Sequence, residues 1–87
     1  MKKLLCNLNM YTVEQMVYLI DDDSSVKPIA ATKINSLPEV IATTCNEHGI
    51  KQVTLAGAAL FAQSIAEDIY EYSLKTYHNN NIEIEVI

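Results

Sequence analysis

Eighty-seven residues, 49% hydrophobic and 20% charged, make one folded domain spanning 1–87 rather than a disordered or fibrous chain. The net charge is −5, and the six basic residues are all lysines, scattered at 2, 3, 27, 33, 51 and 75. Without a basic cluster or arginine forks the composition argues against nucleic-acid binding, and no stretch approaches the ~18 apolar residues that would span a membrane.

The chain opens Met-Lys-Lys-Leu-Leu-Cys, which imitates an export signal, but Asn7 and Asn9 interrupt the apolar run well short of the ~7–15 residues such a signal needs. With only two cysteines, Cys6 and Cys45, free buried thiols and a cytoplasmic setting are expected. Lys3 to Asn9 reads as a first strand.

Met10 to Ile20 admits two readings. As a helix it has Thr12 as N-cap, Gln15 closing a capping box, and Val13, Met16, Val17 and Ile20 at helical spacing. As a strand it has the β-forming run Met16 to Ile20, with a bend near Tyr11 to Glu14 and a turn over Asp21 to Ser25. The strand is preferred, because so short a helix is marginal and three aspartates oppose a helix C-terminus.

Val26 to Ile34 is the next strand. Pro28 has no N–H to give a ladder, which places the strand at an edge or delays its start. Ser36-Leu37-Pro38-Glu39 then reads as a capping box with proline in the first turn, opening a helix over 37–48 that ends at Gly49. Gln52 to Ala56 forms a strand.

A second helix is predicted from Ala58 to His78. Its apolar face carries Phe61, Ala62, Ile65, Ala66 and Ile69, with Tyr72 and Ser73. A lateral stripe of Tyr70, Leu74 and Tyr77 lies beside it, and Leu60 falls toward the polar side. After a turn at Asn79 to Asn81, Ile82, Ile84 and Val86 alternate with Glu83 and Glu85 as a last strand with one wet face. The expected fold is two-layer α/β: a mixed five-stranded sheet in βββαβαβ order, helices mainly on one face.

That order resembles a trimmed ribonuclease-H-like fold, the layout shared by that nuclease class and by each half of the actin-like ATPases. The nucleases hold two metal ions between acids on the first strand, the first helix and the end of the fourth strand. Here Leu4 to Asn9 has no acid, Leu55-Ala56-Gly57 has none, and Glu39 stands alone. Two-metal chemistry needs converging carboxylates, so nuclease activity is not expected.

Val53-Thr-Leu-Ala-Gly57-Ala-Ala is similar to the strand–glycine–helix turn that lies against nucleotide in the actin-like ATPases. The resemblance implies a phosphate at Gly57 and Ala58, where a helix N-terminus offers free N–H groups. Where that family usually has two glycines, this chain has Gly57 then Ala58. A tight turn alone also accounts for the glycine, and carries more weight.

Cys45 and His48 share a helix face and could form half a zinc site, but Cys6 and His78 are the only other soft ligands, far off in sequence. Asp21, Asp22 and Asp23 lack the glycine and distal glutamate of a calcium loop. No metal and no cofactor are expected, and no nucleophile has a recognisable base and acid beside it.

Gln15-Met-Val-Tyr-Leu-Ile-Asp21 and Ile50-Lys-Gln-Val-Thr-Leu-Ala-Gly57 are similar in style to small uncharacterised proteins of tailed phages, which implies a compact non-enzymatic module. The expected function is protein interaction or assembly, by self-association or with a protein partner, through Tyr70, Leu74, Tyr77 and Leu60. The alternative is a small nucleotide- or phosphate-binding domain built on Gly57.

Overall fold

The computed structural model describes residues 1–87. Three strands come first: β1 (Lys3–Asn7), β2 (Glu14–Ile20) and β3 (Val26–Lys33). A 3-10 turn (Ile34–Ser36) leads into helix α1 (Leu37–His48), followed by β4 (Gln52–Ala56), helix α2 (Ala59–Tyr77) and β5 (Glu83–Val86). The sheet order is β3-β2-β1-β4-β5. Only β2 runs against its neighbours; β1, β3, β4 and β5 are parallel.

The topology dictates where the helices go. β3 crosses over β2 and β1 to reach β4, and β4 then steps to β5, so both helical connections move the same way across the sheet. Connections of one hand, the right-handed rule for parallel strands, put both helices on one face. That face is the core: Leu4 and Cys6 of β1, Val17 of β2, and Val53 and Leu55 of β4 pack against Leu37, Ile41 and Cys45 of α1 and Ala62, Ile65 and Ile69 of α2. The register keeps these residues side by side, with Leu4 opposite Val53 and Cys6 opposite both Val17 and Leu55. The result is the expected two-layer α/β sandwich with a five-stranded mixed sheet. The reverse face, bearing Leu5, Tyr18 and Thr54 among charged neighbours, has no helix over it.

Met10 to Ile20 resolves as a loop and a strand. Gln15, Val17 and Leu19 point to the helices while Met16 and Tyr18 point away, the two-residue period of a strand. β3 is an edge strand, as Pro28 requires, and the ladder to β2 slips by one residue between Val17 and Tyr18. The acidic segment is the hairpin tip: Asp21 N–H donates to Ser25 O at 2.9 Å, and Ser25 donates its N–H and its hydroxyl to the Asp23 carboxylate at 3.0 and 2.6 Å.

Several boundaries differ from expectation. β1 stops at Asn7, not Asn9, because the chain leaves the sheet to make the loop to β2. β3 stops at Lys33, β5 begins at Glu83 rather than Ile82, and α2 spans Ala59–Tyr77 rather than 58–78. Ala58 and His78 both have positive φ and so lie outside the helix they flank. The Ser36–Glu39 capping box does not form. The 3-10 turn runs directly into α1, leaving Ser36 at φ −98°, ψ −3°, where its hydroxyl makes no cap bond. A capping residue needs the extended backbone that the turn denies it. At the other end of α1, Gly49 takes the expected left-handed conformation (φ 64°), and Ile50 is buried behind it.

The helices are tied to each other by the Tyr77 hydroxyl and Thr43 Oγ1, 2.7 Å apart. α2 closes with buried Ser73, whose hydroxyl donates to Asn79 O at 3.0 Å while Asn79 N–H returns to Ser73 O at 3.2 Å.

Candidate functional site

β1 and β4 are neighbours whose onward connections diverge: β1 leads to β2 on one side and β4 leads through α2 to β5 on the other. The carboxyl ends of such a strand pair leave a crevice in open α/β sheets. Here the crevice lies between the Leu8–Thr12 stretch and Phe61 in the first turn of α2, with Ile34 closing one side. Leu8, Met10, Ile34 and Phe61 form its apolar wall, Asn9 and Thr12 its polar rim, and it holds about 190 Å³.

The loop is held by Gln15. Its side chain is buried at 3% exposure on the inward face of β2, where an unpaired amide would be costly. Asn9 N–H donates to Gln15 Oε1 at 2.8 Å, and Gln15 Nε2 donates to Asn9 O at 2.7 Å and to Thr12 O at 3.3 Å. The side chain thus continues the ladder where β1 has left it. Asn9 Oδ1 accepts the Tyr11 N–H at 2.9 Å, and Thr12 Oγ1 donates to Glu14 O at 3.0 Å. A loop so tied presents its outward residues in a set position. Tyr11 is 99% exposed, Val13 73% and Met10 66%. By spacing, Gln15 is the closing residue of a helix capping box, a role that the strand does away with. The signal for its true role was there: a glutamine in the inward position ahead of Val17 and Leu19 must find internal hydrogen bonds.

Packed against Leu8, Gly57 has φ +93°, and a Cβ there would stand 2.8 Å from Leu8 O. Its N–H already donates to Ile87 O at 3.3 Å, and Leu8 N–H donates to Ala56 O at 2.8 Å. The glycine therefore lets two backbone segments meet. Ala58, with φ 25° and ψ 77°, precedes α2 with no side-chain cap. Leu60 follows at 84% exposure.

The charge distribution at this end is distinctive. No charged residue occurs from Asn7 to Val13 or from Gln52 to Ala66. Lys2, Lys3, Lys27 and Lys51 precede or open strands at the opposite end, and Lys75 lies near the end of α2, which returns there. Lys33 is the one lysine at the carboxyl ends of the parallel strands, and it is registered opposite Glu14. Glu39 opens α1 nearby. The crevice lining has no titratable group.

The residues nominated on α2 separate. Leu60 stands at this end. Tyr70 is partly exposed, and its hydroxyl accepts the Ile84 N–H of the edge strand at 2.9 Å. Leu74 is exposed, about 21 Å along the helix from Leu60 at 1.5 Å per residue. Tyr77 is half-buried in the seam between the helices, edge-on to Tyr72 with ring centroids 6.2 Å apart. Cys6 and Cys45 are core residues, and burial pushes both thiols up to about 11. His48 and His78 are exposed, and no group of three or more His, Cys, Asp and Glu side chains converges.

No helix is long and apolar enough to cross a membrane. No protein-family model and no curated protein sequence matches the chain.

Proposed function

We propose that this chain is a non-catalytic protein-interaction module whose contact surface is formed by two uncharged segments, the Leu8–Val13 loop and the start of α2. The observation that carries this reading is the coincidence of Tyr11, Val13, Met10 and Leu60, among the most exposed large apolar side chains, with the charge-free segments. A tyrosine and large aliphatics on a pre-ordered loop are what an interface anchor requires, because little flexibility is lost on binding. The crevice offers amides, a hydroxyl and a thioether, but no acid, base or thiol to drive a reaction.

The nucleotide- or phosphate-binding reading of Gly57 and Ala58 has less support. Contact with Leu8 O explains the glycine, the Gly57 N–H is engaged, and the crevice lining holds no lysine to meet a phosphate. At about 190 Å³ the crevice is also below the roughly 300–1,000 Å³ of small-molecule sites.

A photo-crosslinking amino acid placed at position 11 or 60, in cells expressing the chain, should give a discrete protein adduct. The same probe at Asp68, exposed on the outer side of α2, should not. Equal labelling from all three positions would sink the interaction surface proposed here.

A further inference from the structure

We infer that the partner is a second copy of this chain, joined end to end across a two-fold axis, with Tyr11 of each copy seated in the Leu8–Met10–Ile34–Phe61 crevice of the other. The inference rests on the interaction reading above and names its occupant.

Three observations bear on this contact. The first is charge. Two chains of net charge −5 repel each other. The segments at this end are free of charge between Asn7 and Val13 and between Gln52 and Ala66, and Lys33 and Glu14, at the same end of the sheet, are cross-strand partners of opposite sign. This is therefore where two acidic copies approach with least opposition.

The second is fit. A cavity of about 150 Å³ lined by Leu, Ile and Phe accommodates a benzene ring. The present crevice, about 190 Å³ with Leu8, Ile34 and Phe61 in its wall, has room for one aromatic ring, and Asn9 and Thr12 at the rim can meet a phenol hydroxyl.

The third is symmetry. An isologous contact needs a knob and a hole close together on one surface, so that a single axis satisfies both. Tyr11 is 99% exposed, and its chain neighbours Met10 and Thr12 line the hole. Asn9 and Gln15 hold knob and hole in one hydrogen-bonded loop.

One end of a molecule measuring 31 × 31 × 20 Å buries little area on contact. The dimer sits at or below the ~1,200 Å² lower bound of specific interfaces and so is a weak one, forming at micromolar or higher concentration.

Sedimentation equilibrium from micromolar to millimolar concentration tests this. The apparent mass should rise from 9.7 kDa toward twice that value. Tyr11→Ser, at a fully exposed position, should keep the wild-type circular dichroism and weaken association by about tenfold or more, as loss of an aromatic anchor does. Ile34→Trp, which fills the hole, should do the same. Leu74→Ser should leave association unchanged. An equimolar mixture of Tyr11→Ser and Ile34→Trp should regain part of the association that each lacks, because the heterodimer restores one of the two exchanged contacts.

A wild-type chain monomeric at 1 mM whose position-11 crosslinks go to another protein would overturn self-association and leave the interaction reading standing. A monomer with no position-specific adduct would overturn both. A dimer broken by Leu74→Ser but indifferent to Tyr11→Ser would place the contact elsewhere and overturn the assignment.

Discussion

Replacing Gly57 by alanine isolates the contact that brings β1 and β4 together at the crevice. Two costs add. At φ +93° an L side chain is strained, by about 1–2 kcal/mol for a left-handed residue. The new Cβ would also stand 2.8 Å from Leu8 O, where ordinary contacts begin at 3.4 Å. Leu8 cannot simply retreat, since its N–H is bonded to Ala56 O at 2.8 Å. Relief requires shifting one strand end, an overpacking cost of about 1–3 kcal/mol. The total, roughly 2–5 kcal/mol, is a large share of the ~4–13 kcal/mol expected for a domain of this length. Urea unfolding followed by circular dichroism should show the midpoint falling by about 2 M at constant slope, for a slope near 1.5 kcal/mol/M. Gly49→Ala is the control. It carries a similar strain at φ +64° but meets nothing within 4 Å, so it should cost only about 1 kcal/mol. Equal costs for the two variants would refute the close approach to Leu8 and would reopen the reading of Gly57 as a ligand-contacting glycine.

Gln15→Ala should lower the melting temperature by roughly 10 °C in a thermal scan, because it leaves the Asn9 N–H without a partner and takes a donor from Asn9 O and Thr12 O, at a cost of about 2 kcal/mol. Ala58→Gly should raise stability by about 1 kcal/mol, releasing strain at φ 25° in excess of the entropy glycine adds to the unfolded chain; a lower urea midpoint would contradict this. A double-mutant cycle of Tyr77→Phe and Thr43→Val should give a coupling of about 0.5–1.5 kcal/mol, since one hydrogen bond joins the helices there. Both thiols are raised from 9.0 to about 11 in the fold, so between those values the unfolded chain has lost protons that the native chain retains. Stability therefore falls as pH rises from about 9 to about 11. Urea midpoints across that range should show a shallower decline in Cys45→Ala than in wild type.

The α/β layering and the strand order along the chain were legible from short-range patterns. Alternation marked Ile84 and Val86 of β5, helical spacing marked α2, and Gly49 marked the end of α1. Those signals are local, and each is written in side chains a few residues apart. The failures involve conformations and contacts that the side-chain pattern does not report. The capping box at Ser36 was defeated by a 3-10 turn that continues the helix upstream of it, which no side chain in the motif reports. Tyr77 was grouped with Tyr70 and Leu74 by its position on α2. Its hydroxyl is spent on Thr43, a residue 34 positions earlier. The candidate surface was missed for a related reason. Met10, Tyr11 and Val13 read as part of an ambiguous helix or strand, and only the fold shows that the Leu8–Val13 loop meets the start of α2.

A two-layer domain of this kind can associate through a sheet edge, through its open sheet face or through an end, and the first two routes are blunted here. At one edge, Pro28 removes a donor from β3, and the ladder slip beside it twists the strand. At the other, β5 is four residues long and the Tyr70 hydroxyl already takes the Ile84 N–H. The open face has Leu5 and Tyr18 only half-exposed at its centre, with Lys3, Glu14, Glu83 and Glu85 around them. Stacking two such faces would desolvate these charges and bring carboxylates together, a cost of several kcal/mol for each ion left unpaired. The end carries neither penalty. Its exposed backbone is tied into the Asn9–Gln15 loop, its apolar side chains lie in charge-free segments, and the crevice beside them has no titratable group in its lining. The same close approach that makes Gly57 a structural glycine also sets Leu8, part of the crevice wall, against the turn into α2, and the self-association proposed above uses that end.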